Sequence, residues 1–204
     1  MSAVSHEAWI TAEQIKARVK ELGKEITQVY APLVDESSPL LVVPLLRGGF
    51  IFAADLIREI QVPLQIDFVE ISSYHGGTES SGTLTWHKRL RCEAKDRHVL
   101  IVEDIVDTGL TISSLVAEFK KLNAKSTRLA SLLHKPARTK IPVTIDFKGF
   151  TIEDRFVVGY GPADIHVQIR GQHGQDFYRR AGVVAVSYTH LRAHETKANL
   201  VCRL

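Results

Sequence analysis

The sequence predicts an α/β domain: a single domain with a mainly parallel central sheet flanked by helices. Three observations carry that prediction. Short, nearly continuous apolar runs, the mark of strands covered on both faces, alternate with segments whose apolar residues recur at helical spacing. The chain has 204 residues, 45% apolar and 24% charged, which is one ordinary globular domain. No internal repeat or second domain interrupts it, and at this length about 70% of the unfolded chain's surface is buried on folding without help from metal or disulfide.

The elements follow in order. Thr11-Ala12-Glu13-Gln14 reads as a capping box, and Ile15, Val19, Leu22, Ile26 and Val29 then mark one face of an amphipathic helix packed on the body. Pro39 to Leu46 is a buried strand, broken by Arg47-Gly48-Gly49, and Phe50 to Ile60 is helical through Ile51, Ala54 and Ile57. Leu64 to Ile71 reads as one strand, followed by a polar, glycine-spaced stretch, Ser72 to Thr83, without periodicity. His98 to Val102 is a second buried strand. Ile112, Leu115, Val116, Phe119 and Leu122 give the next segment a helical stripe, and Leu129–Leu133, Thr144–Phe147 and Arg155–Val158 read as further strands.

Composition excludes several classes. Cys92 and Cys202 stand far apart without a C-x-x-C, which fits a reducing compartment and argues against a zinc or thiol redox site. The net charge of +3 is carried by the end of the chain: residues 166–204 hold 6 Lys/Arg against 2 Asp/Glu, and the rest holds 20 against 21. A nearly neutral body gives no nucleic-acid face. No apolar run approaches the ~20 residues of a membrane span and no signal-peptide layout opens the chain, so a cytoplasmic protein is expected.

Chemistry gathers in Val102-Glu103-Asp104-Ile105-Val106-Asp107-Thr108-Gly109-Leu110-Thr111. In an open parallel sheet, ligands bind outside the carboxyl ends of the strands. There, two adjacent carboxylates leave an apolar strand and a third follows. Buried carboxylates cost several kcal/mol unless compensated, and a divalent cation or a polyhydroxy ligand would compensate them. The turn Asp107 to Thr111 leads into a helix with free amides at its positive end, an anion cradle without the lysine-bearing string of a nucleoside triphosphatase. Read alone, Asp107 or Thr108 would be an ordinary N-cap. That leaves the Glu103-Asp104 pair without a purpose.

This string resembles the 5-phosphoribosyl-1-pyrophosphate (PRPP) signature of type I phosphoribosyltransferases. Leu46-Arg47-Gly48-Gly49, the loop opening at Ser73-Tyr74, Leu133 to Arg138 and Phe156 to Gly161 narrow the resemblance to the bacterial hypoxanthine(-guanine) branch. It covers roughly residues 8–161. The resemblance implies a small hood and a mobile lid loop added to the sheet. It implies a purine salvage transferase that makes IMP and GMP from hypoxanthine and guanine, releases pyrophosphate, uses Mg²⁺, and works as a homodimer or homotetramer without nucleic-acid or membrane partners.

The same resemblance assigns roles. Glu103 and Asp104 would bind the ribose hydroxyls and Mg²⁺, with Asp164 as a second metal ligand. Asp107 would be the catalytic base at purine N7, and Asp107, Thr108, Gly109, Leu110 and Thr111 would hold the sugar phosphate. Leu46, Arg47 and Gly48, across a cis peptide between the first two, would meet pyrophosphate together with Ser73 and Tyr74, and Arg138 is a further candidate there. Lys135 would donate to the purine O6, which selects 6-oxopurines over adenine. Phe156 would stack on the base and Val157 would meet its edge.

Alone, Arg47 could be a surface charge, Lys135 a solvated strand-end charge and Phe156 simple core. A xanthine-preferring relative and a non-catalytic PRPP sensor are the competing readings. The sensor lacks the DNA-binding extension it would need.

The chain departs from the pattern after Gly161. Pro162-Ala163-Asp164 places the Asp one residue late, with Arg170 six residues beyond. No short apolar strand of the family kind is expected after Arg170. Ser187 to Thr196 looks like translated adaptor sequence, so the domain is expected over 1–161 and an atypical, partly non-native segment over 162–204. His190 and His194 imitate a metal pair but lack a third ligand.

Overall fold

The structure, a computed structural model, describes residues 10–73, 84–154, 157–158, 160 and 184–185. Helix α1 (Ala12–Tyr30) opens with the expected capping box: the Thr11 hydroxyl accepts from the Gln14 N–H, and the Thr11 N–H donates to Gln14 Oε1. Strand β1 (Leu40–Leu46), helix α2 (Phe50–Glu59), β2 (Leu64–Ile66), β3 (Val69–Ser73) and β4 (Leu84–Lys88) follow. Then come β5 (His98–Val106), α3 (Leu110–Lys121), β6 (Ser126–His134), a single 3₁₀ turn at Pro136–Arg138, β7 (Phe147–Thr151), β8 (Val157–Val158) and β9 (Val184–Ala185).

The main sheet runs β4-β3-β1-β5-β6-β7, with β2 also against β1. Every pair is parallel except β3 with β4. β1 and β5 are apolar without alternation because both faces are covered. Leu40, Val42, Leu100 and Val102 pack towards α1 and α2, while Leu41, Val43, Val99 and Ile101 pack with Ile112, Leu115 and Phe119 of α3. All eight strand residues are fully buried, and each contributes on the order of 1.5–3 kcal/mol relative to exposure. These two strands are the rigid floor from which the site projects.

Several boundaries differ from the sequence expectation. Leu64–Ile71 is two strands, interrupted at Asp67 and Phe68; the Asp67 N–H still donates to the Val42 carbonyl of β1 at 3.1 Å, while its carboxylate takes hydrogen bonds from Lys88 Nζ and from the Phe68, Arg91 and Cys92 N–H groups. The strand expected at Thr144–Phe147 starts only at Phe147. Before it, Asp146 uses its carboxylate to accept the Leu129 N–H at 2.9 Å, a side-chain bond in place of strand pairing. Ser72 and Ser73 complete β3 instead of opening a loop, and β4 was not foreseen; residues 74–83, the bulk of the expected lid, lie outside the described residues. Of Arg155–Val158, the last two residues form β8. A strand does occur beyond Arg170: Val184 and Ala185 pair in parallel with Val157 and Val158.

Candidate active site

Strands β1, β5 and β6 are mutually parallel, so their carboxyl ends reach one edge of the sheet. β1 delivers Leu46, Arg47 and Gly48 there. β5 runs four residues further than the sequence suggested, to Val106, so Glu103 and Asp104 sit within the strand and not beyond it. Val106 is in register with His134, and the Lys135 N–H donates to the Val106 carbonyl at 2.9 Å. Asp107 and Lys135 are thereby the next residues out on neighbouring strands.

The acid pair is uncompensated by protein charge. Asp104 is 6% exposed and Glu103 half-buried. Among the described residues no Lys, Arg or His lies within ion-pair distance of either. Among the described residues their carboxylates accept the Asp104 and Ile105 N–H groups, at 3.1 and 2.7 Å, and share a hydrogen bond with each other. Burial, reinforced by the charge of Asp104, pushes the Glu103 carboxyl well above its ordinary range, and burial raises Asp104 as well. The β1 turn lies directly against this pair: a Cβ on Gly48 would stand 2.2 Å from Asp104 Oδ2, so only glycine fits.

The phosphate turn is held from behind. The Thr108 carbonyl accepts from the Lys140 and Ile141 N–H groups, both at 3.0 Å. Gly109 has φ +79°, and a Cβ there would meet the Ile141 carbonyl oxygen at 2.1 Å. Gly109 at the N-cap supplies no side-chain cap; the Leu110 N–H reaches the Thr108 hydroxyl at 3.4 Å, and the later first-turn amides, which have no intrahelical acceptors, can meet an anion. Thr108, Leu110 and Thr111 are half-buried around them.

Other candidates stand as follows. The Leu46-Arg47 peptide is cis. Arg47 is exposed, with Nε 3.4 Å from Glu70 Oε1. Lys135 is 6% exposed, and no carboxylate among the described residues lies within ion-pair distance of it. Asp107 Oδ1 is sealed from solvent without a hydrogen bond, and its near neighbour is Arg138 Nε at 3.1 Å. Val157 is buried. Ser73 lies in β3 without a described side chain, and Tyr74, Phe156, Asp164 and Arg170 lie outside the described residues.

Sequence reasoning missed Asp154, Glu70 and the 140–141 backbone as neighbours of the site. Each is brought in by tertiary packing and carries no local motif. Only Pro136, at the start of the 3₁₀ turn, hinted that the chain turns there.

The phosphoribosyl transferase domain model matches residues 10–165. The chain belongs to the phosphoribosyl transferase family. This transferase is 43% identical over 155 residues to the hypoxanthine phosphoribosyltransferase of Salmonella typhimurium, an alignment covering 76% of this chain and 85% of the relative. It is 43% identical over 152 residues to the hypoxanthine-guanine phosphoribosyltransferase of Bacillus subtilis, covering 74% and 82%. The hypoxanthine phosphoribosyltransferase of Trypanosoma cruzi, solved with its product IMP, superposes with a TM-score of 0.72 at 34% identity, over 79% of this chain and 89% of that one. The fold and the family expected from the sequence are thus established. No helix among the described residues is long and apolar enough to cross a membrane.

Proposed function

We propose that this phosphoribosyltransferase joins hypoxanthine or guanine to the ribose 5-phosphate of PRPP, forming IMP or GMP and releasing pyrophosphate. One observation carries the reading. A buried acid pair with no cation within ion-pair distance among the described residues, a helix that starts from a glycine and the Asp107–Lys135 neighbours share one strand-end edge. Each matches a different part of the two substrates.

The first-turn amides of α3, with Thr108 and Thr111, hold the 5-phosphate, and Leu110 contributes main chain. Glu103 and Asp104 accept hydrogen bonds from the ribose hydroxyls. The same pair fits Mg²⁺, which takes one or two protein carboxylates and fills its shell with substrate oxygens and water; Asp164 is the proposed second metal ligand. When bound, the ion supplies positive charge to the leaving diphosphate. The Leu46-Arg47-Gly48 backbone, Ser73 and Tyr74 orient the pyrophosphate.

In the transfer, the bond between the anomeric carbon and the pyrophosphate oxygen breaks, and purine N9 forms the new bond with that carbon. As it does so, the N7 proton passes to Asp107. Lys135 donates to O6, which an adenine amino group could not accept. Phe156 stacks on the base and Val157 meets its edge. Water must be kept from the oxocarbenium-like centre, the reason for a lid at residues 74–83.

The catalytic domain is proposed to end near residue 161, with 162–204 an atypical, partly non-native segment. The active assembly is proposed as a homodimer or homotetramer in the cytoplasm. Nucleotide formation from PRPP, Mg²⁺ and each of hypoxanthine, guanine and xanthine tests the substrate assignment, with xanthine expected to be the poorest. Asp107→Asn is expected to lower turnover about 10²-fold and leave PRPP binding nearly intact. Loss of PRPP binding in that variant would reject the base assignment.

A further inference from the structure

Arg138 does not stand as a free cation awaiting a diphosphate. The 3₁₀ turn Pro136–Arg138 starts directly after Lys135, and the Arg138 N–H donates back to the Lys135 carbonyl at 3.2 Å. This folds the side chain over Asp107. Its Nε lies 3.1 Å from Asp107 Oδ1, and its Nη1 lies 3.8 Å from Asp154 Oδ1, just before the segment that leads into Val157.

The two oxygens of Asp107 are not equivalent. Oδ1 is closed to solvent and makes no hydrogen bond, yet the side chain as a whole is 32% exposed. The open surface therefore belongs to the other side of the carboxylate, Oδ2 and the methylene. Lys135, the other cation at this edge, has no carboxylate within ion-pair distance among the described residues, so it does not perform this task.

We propose that Arg138 is a positioning residue for Asp107: its guanidinium fixes Oδ1, sets the carboxylate plane, and leaves Oδ2 turned to the purine N7 proton. The inference rests on Asp107 being the base. Arg138 is half exposed, so the contact adds little to stability. Its effect is orientational, and orientation errors of about 1 Å at a reacting group cost up to ~10²-fold in rate.

Steady-state kinetics with both substrates varied test this in Arg138→Ala, Arg138→Lys, Asp107→Asn and the Arg138→Ala/Asp107→Asn double variant. Thermal melts with and without PRPP verify folding. Arg138→Gln, which keeps the side-chain stem, replaces the alanine variant if that one melts early. Arg138→Ala is expected to lose ten- to a hundredfold in kcat with KM for PRPP within twofold of the parent, and Arg138→Lys to recover part of the loss. The double variant should be no slower than Asp107→Asn alone, because nothing remains to orient. A large rise in KM for PRPP with kcat preserved would make Arg138 a pyrophosphate contact and overturn the proposal. So would losses that multiply in the double variant. Parental turnover in Asp107→Asn would remove the base reading itself, a result visible without any Arg138 variant.

Discussion

Burial pushes the carboxyls of two acid sites in this molecule upward, yet they end on opposite sides of the ordinary carboxylate range. Asp67, 9% exposed, sits at the break between β2 and β3. Burial pushes its carboxyl up. Lys88 Nζ at 2.8 Å and the N–H groups of Arg91, Phe68 and Cys92 outweigh that and hold it far below the usual carboxylate range. Among the described residues, Glu103 and Asp104 have two backbone N–H groups between them and no cation within ion-pair distance, and burial drives them upward. The acid pair is more deeply desolvated than Asp67, and it lacks the cation that Asp67 has in Lys88. The fold compensates the acid that ties the β3–β4 hairpin down and leaves the pair at the strand ends for a ligand to compensate.

Neutralising each site should separate the two roles. Glu103→Gln or Asp104→Asn is expected to lower nucleotide formation by 10² or more. The unliganded protein should become more stable, by about 1 kcal/mol, because an uncompensated buried charge is removed. Rates and thermal melts on the same preparations check both halves. A loss of stability would end the contrast, since it would mean the pair is already satisfied within the fold.

Asp67→Asn should do the reverse: a loss of about 2–4 kcal/mol from breaking a mostly buried, hydrogen-bonded pair, with turnover per folded molecule within a few-fold of the parent. Its pH signature follows from sign. The folded-state carboxyl is more acidic than the unfolded one, so the unfolded chain binds the proton first as pH falls. The stabilisation is full above about pH 4 and is lost as pH drops further through the folded value. Denaturant unfolding between pH 5 and pH 2 should show that decline in the parent and a flatter curve in Asp67→Asn.

The contrast also explains what could be read in advance. β1, β5 and α3 were legible because two-sided burial leaves an unbroken apolar run and one-sided burial leaves a helical stripe. The Asp107 to Thr111 turn was legible as a turn into a helix because its signal is local, one glycine and its flanking hydroxyls. Asp67 was invisible: its partners arrive from β4 and the 91–92 backbone, and nothing in Leu64–Ile71 announces that its carboxylate will gather them. For the same reason the ion pairs of Arg138, a candidate pyrophosphate contact in the sequence, could not be foreseen: Asp107 and Asp154 come from two other segments that only the packed sheet brings together.

The smallest expected effect lies at the other end of β5. His98, its first residue, is 7% exposed, with Nδ1 2.7 Å from Ser126 Oγ, Nε2 without a hydrogen bond, and Tyr30 edge-on at 6.1 Å. Burial lowers its pKa, and Lys125 and Arg128 lower it further. The fold thus favours the neutral ring, the unfolded chain takes the proton more readily, and stability is full above the ordinary histidine value near ~6.5 and declines as pH falls below it. This window lies above that of Asp67, so the two can be resolved in one titration. Between pH 7 and pH 5 the parent should lose on the order of 1 kcal/mol, and His98→Gln should remove most of that slope. His134, at the site end of β6, is also lowered by burial and by Lys148. A slope that survives His98→Gln and disappears in His134→Gln would place the pH-sensitive strain at the ligand edge, and would show that the base of the sheet is as well compensated as Asp67.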